Sequence, residues 1–181
     1  MATAYAVFSA MGPDRVGIVD ELSGLLSERG GNIEESRMAV LGSEFAVMML
    51  VSMDAAQLEG LRSRIPELEA RFGLTVVLKP TGSPELAQGG RPYLLETISL
   101  DGSGIVHAVS SVLHRMGINI ENMETETQSA PLTGAPMFRM KASIILGPHH
   151  SVAALKREFD RLEAAQDLDI SLRPLVPARP E

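Results

Sequence analysis

The sequence predicts an α+β protein made of two tandem modules, each a four-stranded antiparallel sheet with two helices on one face. Three observations predict it. The stretch Gly12-Pro13-Asp14-Arg15-Val16-Gly17-Ile18-Val19 returns 87 positions later as Asp101-Gly102-Ser103-Gly104-Ile105-Val106. The echo then runs on. Asp14, Gly17, Ile18, Val19, Ser23, Leu26, Gly30, Asn32, Ile33 and Glu34 recur as Asp101, Gly104, Ile105, Val106, Ser110, Leu113, Gly117, Asn119, Ile120 and Glu121. Ten matches over 21 aligned positions without a gap mark a duplicated unit. Within each copy the apolar spacing alternates between strand and helix periods in one order, β-α-β-β-α-β. That order is the ferredoxin-like arrangement of two helices on an antiparallel sheet.

In the first copy Ala4 to Met11 reads as a strand with apolar residues on both faces. Gly12-Pro13 is expected to break it, with Asp14 placed to cap the helix that follows. That helix runs from Val16 to Arg29, with Val19, Leu22 and Leu26 as its stripe and Ile18 and Leu25 beside it. Gly30-Gly31 ends it. Asn32 to Leu41 and Glu44 to Met53 form a hairpin around Gly42-Ser43. Asp54 begins a second helix with a seam of Leu58, Leu61, Ile65, Leu68 and Phe72, bent or restarted at Pro66. Leu74 to Lys79 is the closing strand.

Residues 81–92, rich in glycine, serine and proline, are expected to link the copies, so that residues 1–80 form the first module and 93–174 the second. The second opens with the strand Tyr93 to Leu100, and its first helix carries Ile105, Val109, Val112 and Met116. Asn119 to Gln128 and Met137 to Leu146 are the next strands, joined by the loop Ser129 to Pro136 instead of a tight hairpin. Val152, Leu155, Phe159 and Leu162 mark the second helix and Asp169 to Arg173 the last strand, leaving residues 175–181 as a loose tail. Phe45 to Val51 is apolar at every position, whereas Phe138 to Ile144 alternates with Arg139, Lys141 and Ser143. Both faces of the first strand are therefore expected to be covered, by a second module or a second chain, and a homodimer is expected.

Composition narrows the function. A net charge of −7, no basic cluster and 4% aromatics argue against direct nucleic-acid binding. The absence of cysteine removes disulfides, thiol nucleophiles and thiolate metal sites, which suits the cytoplasm. The longest apolar run, Phe45 to Val51, is too short to span a membrane, and the N-terminus lacks the pattern of a signal peptide. No catalytic constellation, metal site or cofactor motif is present. His107 and His114 are nearly two helical turns apart, and His149-His150 read as exposed loop imidazoles. Glu34 and Glu35 point to opposite faces of an alternating strand, while Glu124 and Glu126 share a face as solvated carboxylates. The ten methionines read as core fillers.

The recurring turn carries the chemistry. A strand end, a glycine and a helix start bring free backbone N–H groups and a positive dipole end together, which suits a carboxylate. Asp14 and Asp101 can offer an anion to an ammonium group, Gly17 and Gly104 leave room near the backbone, and Asn32 and Asn119 carry both donor and acceptor. Together these suit a zwitterion, a small amino acid. The competing reading is structural: a cap, a packing glycine and a turn asparagine. The candidate ligand-binding residues are Asp14, Val16, Gly17 and Asn32, then Asp101, Gly104 and Asn119.

The D-x-x-G-I-V turn followed by G-x-N-I-E resembles tandem ACT domains, amino-acid-sensing modules of this fold. Asn119-Ile-Glu-Asn-Met-Glu-Thr-Glu126 with Ala130-Pro-Leu-Thr-Gly-Ala-Pro-Met-Phe138 is similar to the glycine cleavage system transcriptional repressor family. The resemblance implies a non-enzymatic regulator that responds to glycine and acts through a transcription activator. It also implies that the ligand lies where the turn of one module meets a neighbouring module. The second copy lacks Pro13 and Arg15, so the two sites are expected to differ or only one to work. Glycine, with five heavy atoms, could gain at most roughly −7.5 kcal/mol, or micromolar affinity. A ligand-independent module that docks on an enzyme or regulator is the alternative.

Overall fold

A computed structural model describes residues 3–83 and 89–175. Its contacts divide the chain into two compact units, Met1–Leu86 and Ala87–Glu181. The expected linker lies partly, and the expected tail mostly, outside the described residues. The first unit runs β1 (Thr3–Pro13), α1 (Ile18–Glu28), β2 (Asn32–Leu41), β3 (Glu44–Asp54), α2 (Ala55–Ser63), α3 (Ile65–Phe72) and β4 (Thr75–Thr81). The second runs β5 (Arg91–Leu100), α4 (Ile105–Arg115), β6 (Ile120–Ser129), β7 (Pro136–Leu146), α5 (Val152–Gln166) and β8 (Asp169–Pro174). Each makes one antiparallel sheet, in the order β2-β3-β1-β4 and β6-β7-β5-β8. This is the α+β, tandem ferredoxin-like architecture that the sequence predicts.

The opening strand sits inside each sheet, with β3 and β4 on its two sides in the first unit. Its alternate residues Ala6, Phe8 and Ala10 face the helices and are buried. Phe8, Leu22, Leu26, Phe45 and Leu61 form the fully buried heart of one core, and Leu95, Leu113, Met140, Ile144 and Leu155 that of the other. The seam expected on the second helix is divided between α2 and α3. The break falls at Arg64, because Pro66 has no N–H to continue the ladder and fits the first turn of a new helix. Asp54 caps α2 as expected, its carboxylate accepting from the Ala56 N–H at 2.9 Å.

Several expectations are corrected. Gly12-Pro13 does not break β1, whose ladder with β3 continues through Gly12↔Phe45 and Pro13↔Glu44. The helix starts at Ile18 and leaves Val16 fully exposed at the tip of the turn. Its buried face is Ile18, Leu22, Leu25 and Leu26, while Val19 is 45% exposed. In α4 Leu113 joins Ile105, Val109 and Val112 as buried residues, and Met116, which ends the helix, packs partly buried against the same core. Both second strands carry a β-bulge, between Ile33 and Glu35 and between Ile120 and Asn122. A bulge adds one unpaired residue and breaks the two-residue alternation. Glu34 and Glu35 therefore do not follow the simple opposite-face rule.

The sheet faces away from the helices differ. In the first unit Met11, Met48 and Val77 lie there, more than half exposed, so Phe45 to Val51 is not covered on both sides within the unit. Methionines are thus not all core fillers, since Met49 and Met140 are buried whereas Met11, Met38 and Met48 are not. In the second unit Glu96 lies between Lys141 at 3.8 Å and Arg173 at 3.4 Å, and Glu124 and Glu126 stand opposite Lys141 and Arg139. One face is apolar and the other is laced with charge.

Leu61→Ala is expected to cost about 2–5 kcal/mol through the lost burial and the cavity left behind. Val16→Ala should leave stability unchanged within about 0.5 kcal/mol. Urea unfolding midpoints of the two variants check both.

Candidate ligand-binding turns

The strand-to-helix turn is built alike in both units. Beyond the end of β1 the Asp14 N–H donates to the Ser43 carbonyl at 2.9 Å, and the Asp101 N–H donates to the Pro136 carbonyl at the same distance. The chain then reverses through Gly17 at φ 95°, ψ −6° and Gly104 at φ 90°, ψ −3°. Those angles belong to the third residue of a type II turn, where a side chain is strained and glycine is not. A Cβ at Gly104 would meet nothing within 4 Å. The glycine serves the backbone reversal, and it stands before the helix instead of in its first turn.

Neither helix start is capped by a side chain. Asp14 and Asp101 are thus not the caps expected from sequence, and their carboxylates are free of that duty. Intrahelical bonding begins with Glu21 N–H to the Gly17 carbonyl and Ala108 N–H to the Gly104 carbonyl. The amides of residues 18–20 and 105–107 have no carbonyl of their own helix to meet, and they sit at the positive end of the dipole.

The copies differ in what lies beside those amides. In the first, Arg15 donates two hydrogen bonds of 2.7 Å to the Glu21 carboxylate. That carboxylate comes within 3.8 Å of a Cβ built on Gly17. The Arg15 hydrogen bonds hold the Glu21 carboxyl below its ordinary range and push the guanidinium up. The first helix start thus already has an anion as neighbour. In the second, Gly102 and Ala108 occupy the matching positions. A hollow of about 480 Å³ opens there, lined by Asp101, Gly104, His107, Thr127 and Phe138 among others.

Asn32 and Asn119 do not join these turns within one unit. Asn32 pairs with Ser52, which pairs with Tyr5, whereas the turn follows Pro13. Eight residues of β1 separate the two ends, roughly 27 Å at the usual strand rise. Asn119 immediately precedes Ile120, which is level with Tyr93 at the far end of β5 from Asp101. Sequence reasoning placed the asparagine near the turn because it follows the helix closely, but α1 runs the full length of the sheet before the chain re-enters it.

Sequence reasoning also missed what Asn32 does. Its amide donates to Glu34 Oε1 at 3.1 Å, and the Ser52 hydroxyl donates to the same oxygen. Ser52 first, then Asn32, hold the Glu34 carboxyl below its ordinary range. The recurrence of Asn-Ile-Glu in both copies carried this signal, although Ile145 takes the place of Ser52 in the second. Of the histidines, His150 Nδ1 accepts from the Gly147 N–H at 2.9 Å. No cluster of three or more metal-ligating side chains occurs among the described residues. No helix among them is long and apolar enough to cross a membrane.

Comparison with known proteins points to one family. The ACT domain family matches residues 4–79. The glycine cleavage system transcriptional repressor of Escherichia coli (strain K12) is 29% identical over 158 residues, covering 87% of this chain and 83% of that protein. The chain resembles tandem ACT-domain proteins, its first module carrying the family match and its second repeating the fold. It resembles the glycine cleavage system transcriptional repressor family along most of its length. A solved structure of an unknown protein from Galdieria sulphuraria superposes on this chain with a TM-score of 0.80. It is 34% identical and covers 97% of this chain and 100% of its own. A crystal structure of a candidate glycine cleavage system transcriptional repressor superposes with a TM-score of 0.72 at 25% identity, covering 97% of this chain and 99% of its own.

The depressed carboxyls of Glu21 and Glu34 give a pH expectation. A group whose folded pKa lies below its unfolded value adds stability above the unfolded pKa and loses it as pH falls through the folded one. The melting temperature should therefore drop as pH falls below 4.5, the ordinary value for these carboxyls. The double variant Glu21→Gln, Glu34→Gln should show a shallower drop in a pH series of thermal melts.

Proposed function

We propose that this protein is a non-enzymatic, cytoplasmic regulator that binds a small amino acid, glycine foremost, and controls transcription through a protein partner. The observation that carries the reading is the second turn, an uncapped helix start behind Gly104 beside an open hollow that Asp101 lines. Free amides of residues 105–107 meet the ligand carboxylate, and the Asp101 carboxylate meets its ammonium group. Similarity to a protein named for transcriptional repression of glycine cleavage supports both the regulatory role and the choice of ligand. An acidic chain of net charge −7 supports a protein partner, such as a transcription activator, in place of DNA.

Asn119 or Asn32 of a second copy completes such a site. Their strands, β6 and β2, are sheet edges. If an edge strand of a second copy lies antiparallel alongside, its asparagine end falls level with the turn end of the first. The homodimer of this reading is that arrangement. The first turn, where Glu21 already neighbours the helix start, is the weaker site of the two.

A second reading is favoured by the apolar sheet face of the first unit, where Met11, Met48 and Val77 are exposed. It makes the protein a docking module indifferent to amino acids. Calorimetric titration separates the readings. The first expects glycine or another small amino acid to bind with micromolar or weaker affinity, and Asp101→Ala to weaken it about tenfold, about 1.4 kcal/mol. Asp14→Ala is expected to have a smaller effect. Absence of heat and of thermal shift with every standard amino acid would transfer the case to the second reading.

A further inference from the structure

The second unit breaks three local rules that the first unit obeys, two of them on its opening strand. Thr97 and Ser99 stand on the helix-facing side of β5, where the first unit has Ala10 and Gly12. Thr97 is 0% and Ser99 8% exposed, and neither hydroxyl has a hydrogen-bond partner in the protein. Buried hydroxyls without partners are rare and costly, whereas alanine and glycine at the same places cost nothing of the kind. Asp167, which ends α5, takes the left-handed conformation at φ 51°. Its counterpart ending α3 is Gly73, which holds φ 68° without strain.

Two of these departures meet at one place. Ser99 and Asp167 line a cleft of about 920 Å³ that also takes in Gly102, Gly104 and His107 at the start of α4. In the first unit the chain is tightly packed at the position matching Ser99. A Cβ on Gly12 would come within 2.8 Å of the Gly73 carbonyl and 2.9 Å of the Leu74 side chain. A module that exchanges a tightly packed, unstrained junction for unpartnered hydroxyls and a strained aspartate has spent stability on something other than folding, and such exchanges cluster at functional sites.

We infer that this cleft, wholly inside the second unit, is a binding site for a small amino acid that shares the α4 amides with the hollow on the β6 side of the same turn and competes with it. Its α4 amides and the Ser99 hydroxyl take the ligand carboxylate, and Asp167 takes the ammonium group. The Ser99 hydroxyl then gains the partner that the free protein does not supply. The inference rests on the amino-acid-sensing reading above for the class of ligand, but it puts the ligand on the α5 side of the turn instead of at a junction with an edge strand.

The test is a ¹⁵N chemical-shift titration of the full chain with glycine, L-alanine, L-serine and sodium acetate as separate probes. Shifts at Ser99, Ile105 and Asp167 with at least one amino acid are expected, and weaker shifts with acetate, which lacks the ammonium group. Ser99→Ala and Asp167→Gly should each weaken binding about tenfold or more. Both should also melt at a temperature equal to or above that of the parent chain, since each removes a local penalty. Water filling the cleft without a ligand would leave these amides unmoved by every probe. That result, or parent-like affinity in both variants, would overturn the inference. Shifts at Asp101, Thr127 and the α4 start that leave Ser99 and Asp167 unmoved would overturn it while leaving the junction site standing. Shifts confined to Ser99, Asp167 and the α4 start would do the reverse.

Discussion

Everything proposed for this chain depends on one backbone conformation, the left-handed glycine between the first strand and the first helix of each unit. With Gly17 and Gly104 near φ 90°, the chain turns from a strand inside the sheet into a helix that packs back across it. The reversal leaves no residue in position to cap the helix with its side chain. The first amides of the helix therefore face outward at the positive end of the dipole. Fold and site share this cause. The glycine is required by the topology, and the anion-receptive helix start is what the topology leaves behind.

Duplication then allowed the two helix starts to diverge. In the first unit Arg15 draws Glu21 over the turn with two short hydrogen bonds, and Gly12 lets the α3–β4 junction close against β1. In the second, Gly102, Ala108 and Ser99 occupy those positions, and hollows open on both sides of the turn. An exposed ion pair adds little to stability. Its greater consequence here is to place a carboxylate where a ligand carboxylate would otherwise go. The sheet faces diverged as well, one toward exposed methionine and valine and the other toward paired charge. One unit thus has the surface suited to a macromolecular neighbour, and the other has the space suited to a small molecule.

Much of this was legible in the sequence. The duplicated turn, the alternating periods and the helix-ending glycines carry the fold, because each is a local signal that the topology reinforces. What could not be read depends on distance through space. Asn32 follows α1 by only a few residues, yet an eleven-residue helix carries the chain the length of the sheet and sets that asparagine far from Gly17. The bulges at Glu34 and Glu121 were equally hidden, since an extra unpaired residue has no composition of its own. The role of Asp14 was misread because aspartate before a helix usually caps it. Here the turn inserts three residues between Asp14 and Ile18, and Gly17 takes the cap position, which has no side chain to offer.

The central claim is that an uncapped helix start behind Gly104 receives the carboxylate of a free amino acid. A crystal structure of the full chain grown with saturating glycine tests it most directly. The account expects a glycine carboxylate oxygen about 2.9 Å from an amide nitrogen of residues 105–107, in hydrogen-bonding geometry. Glycine bound away from both turns, or turns left empty at saturating glycine, would contradict it.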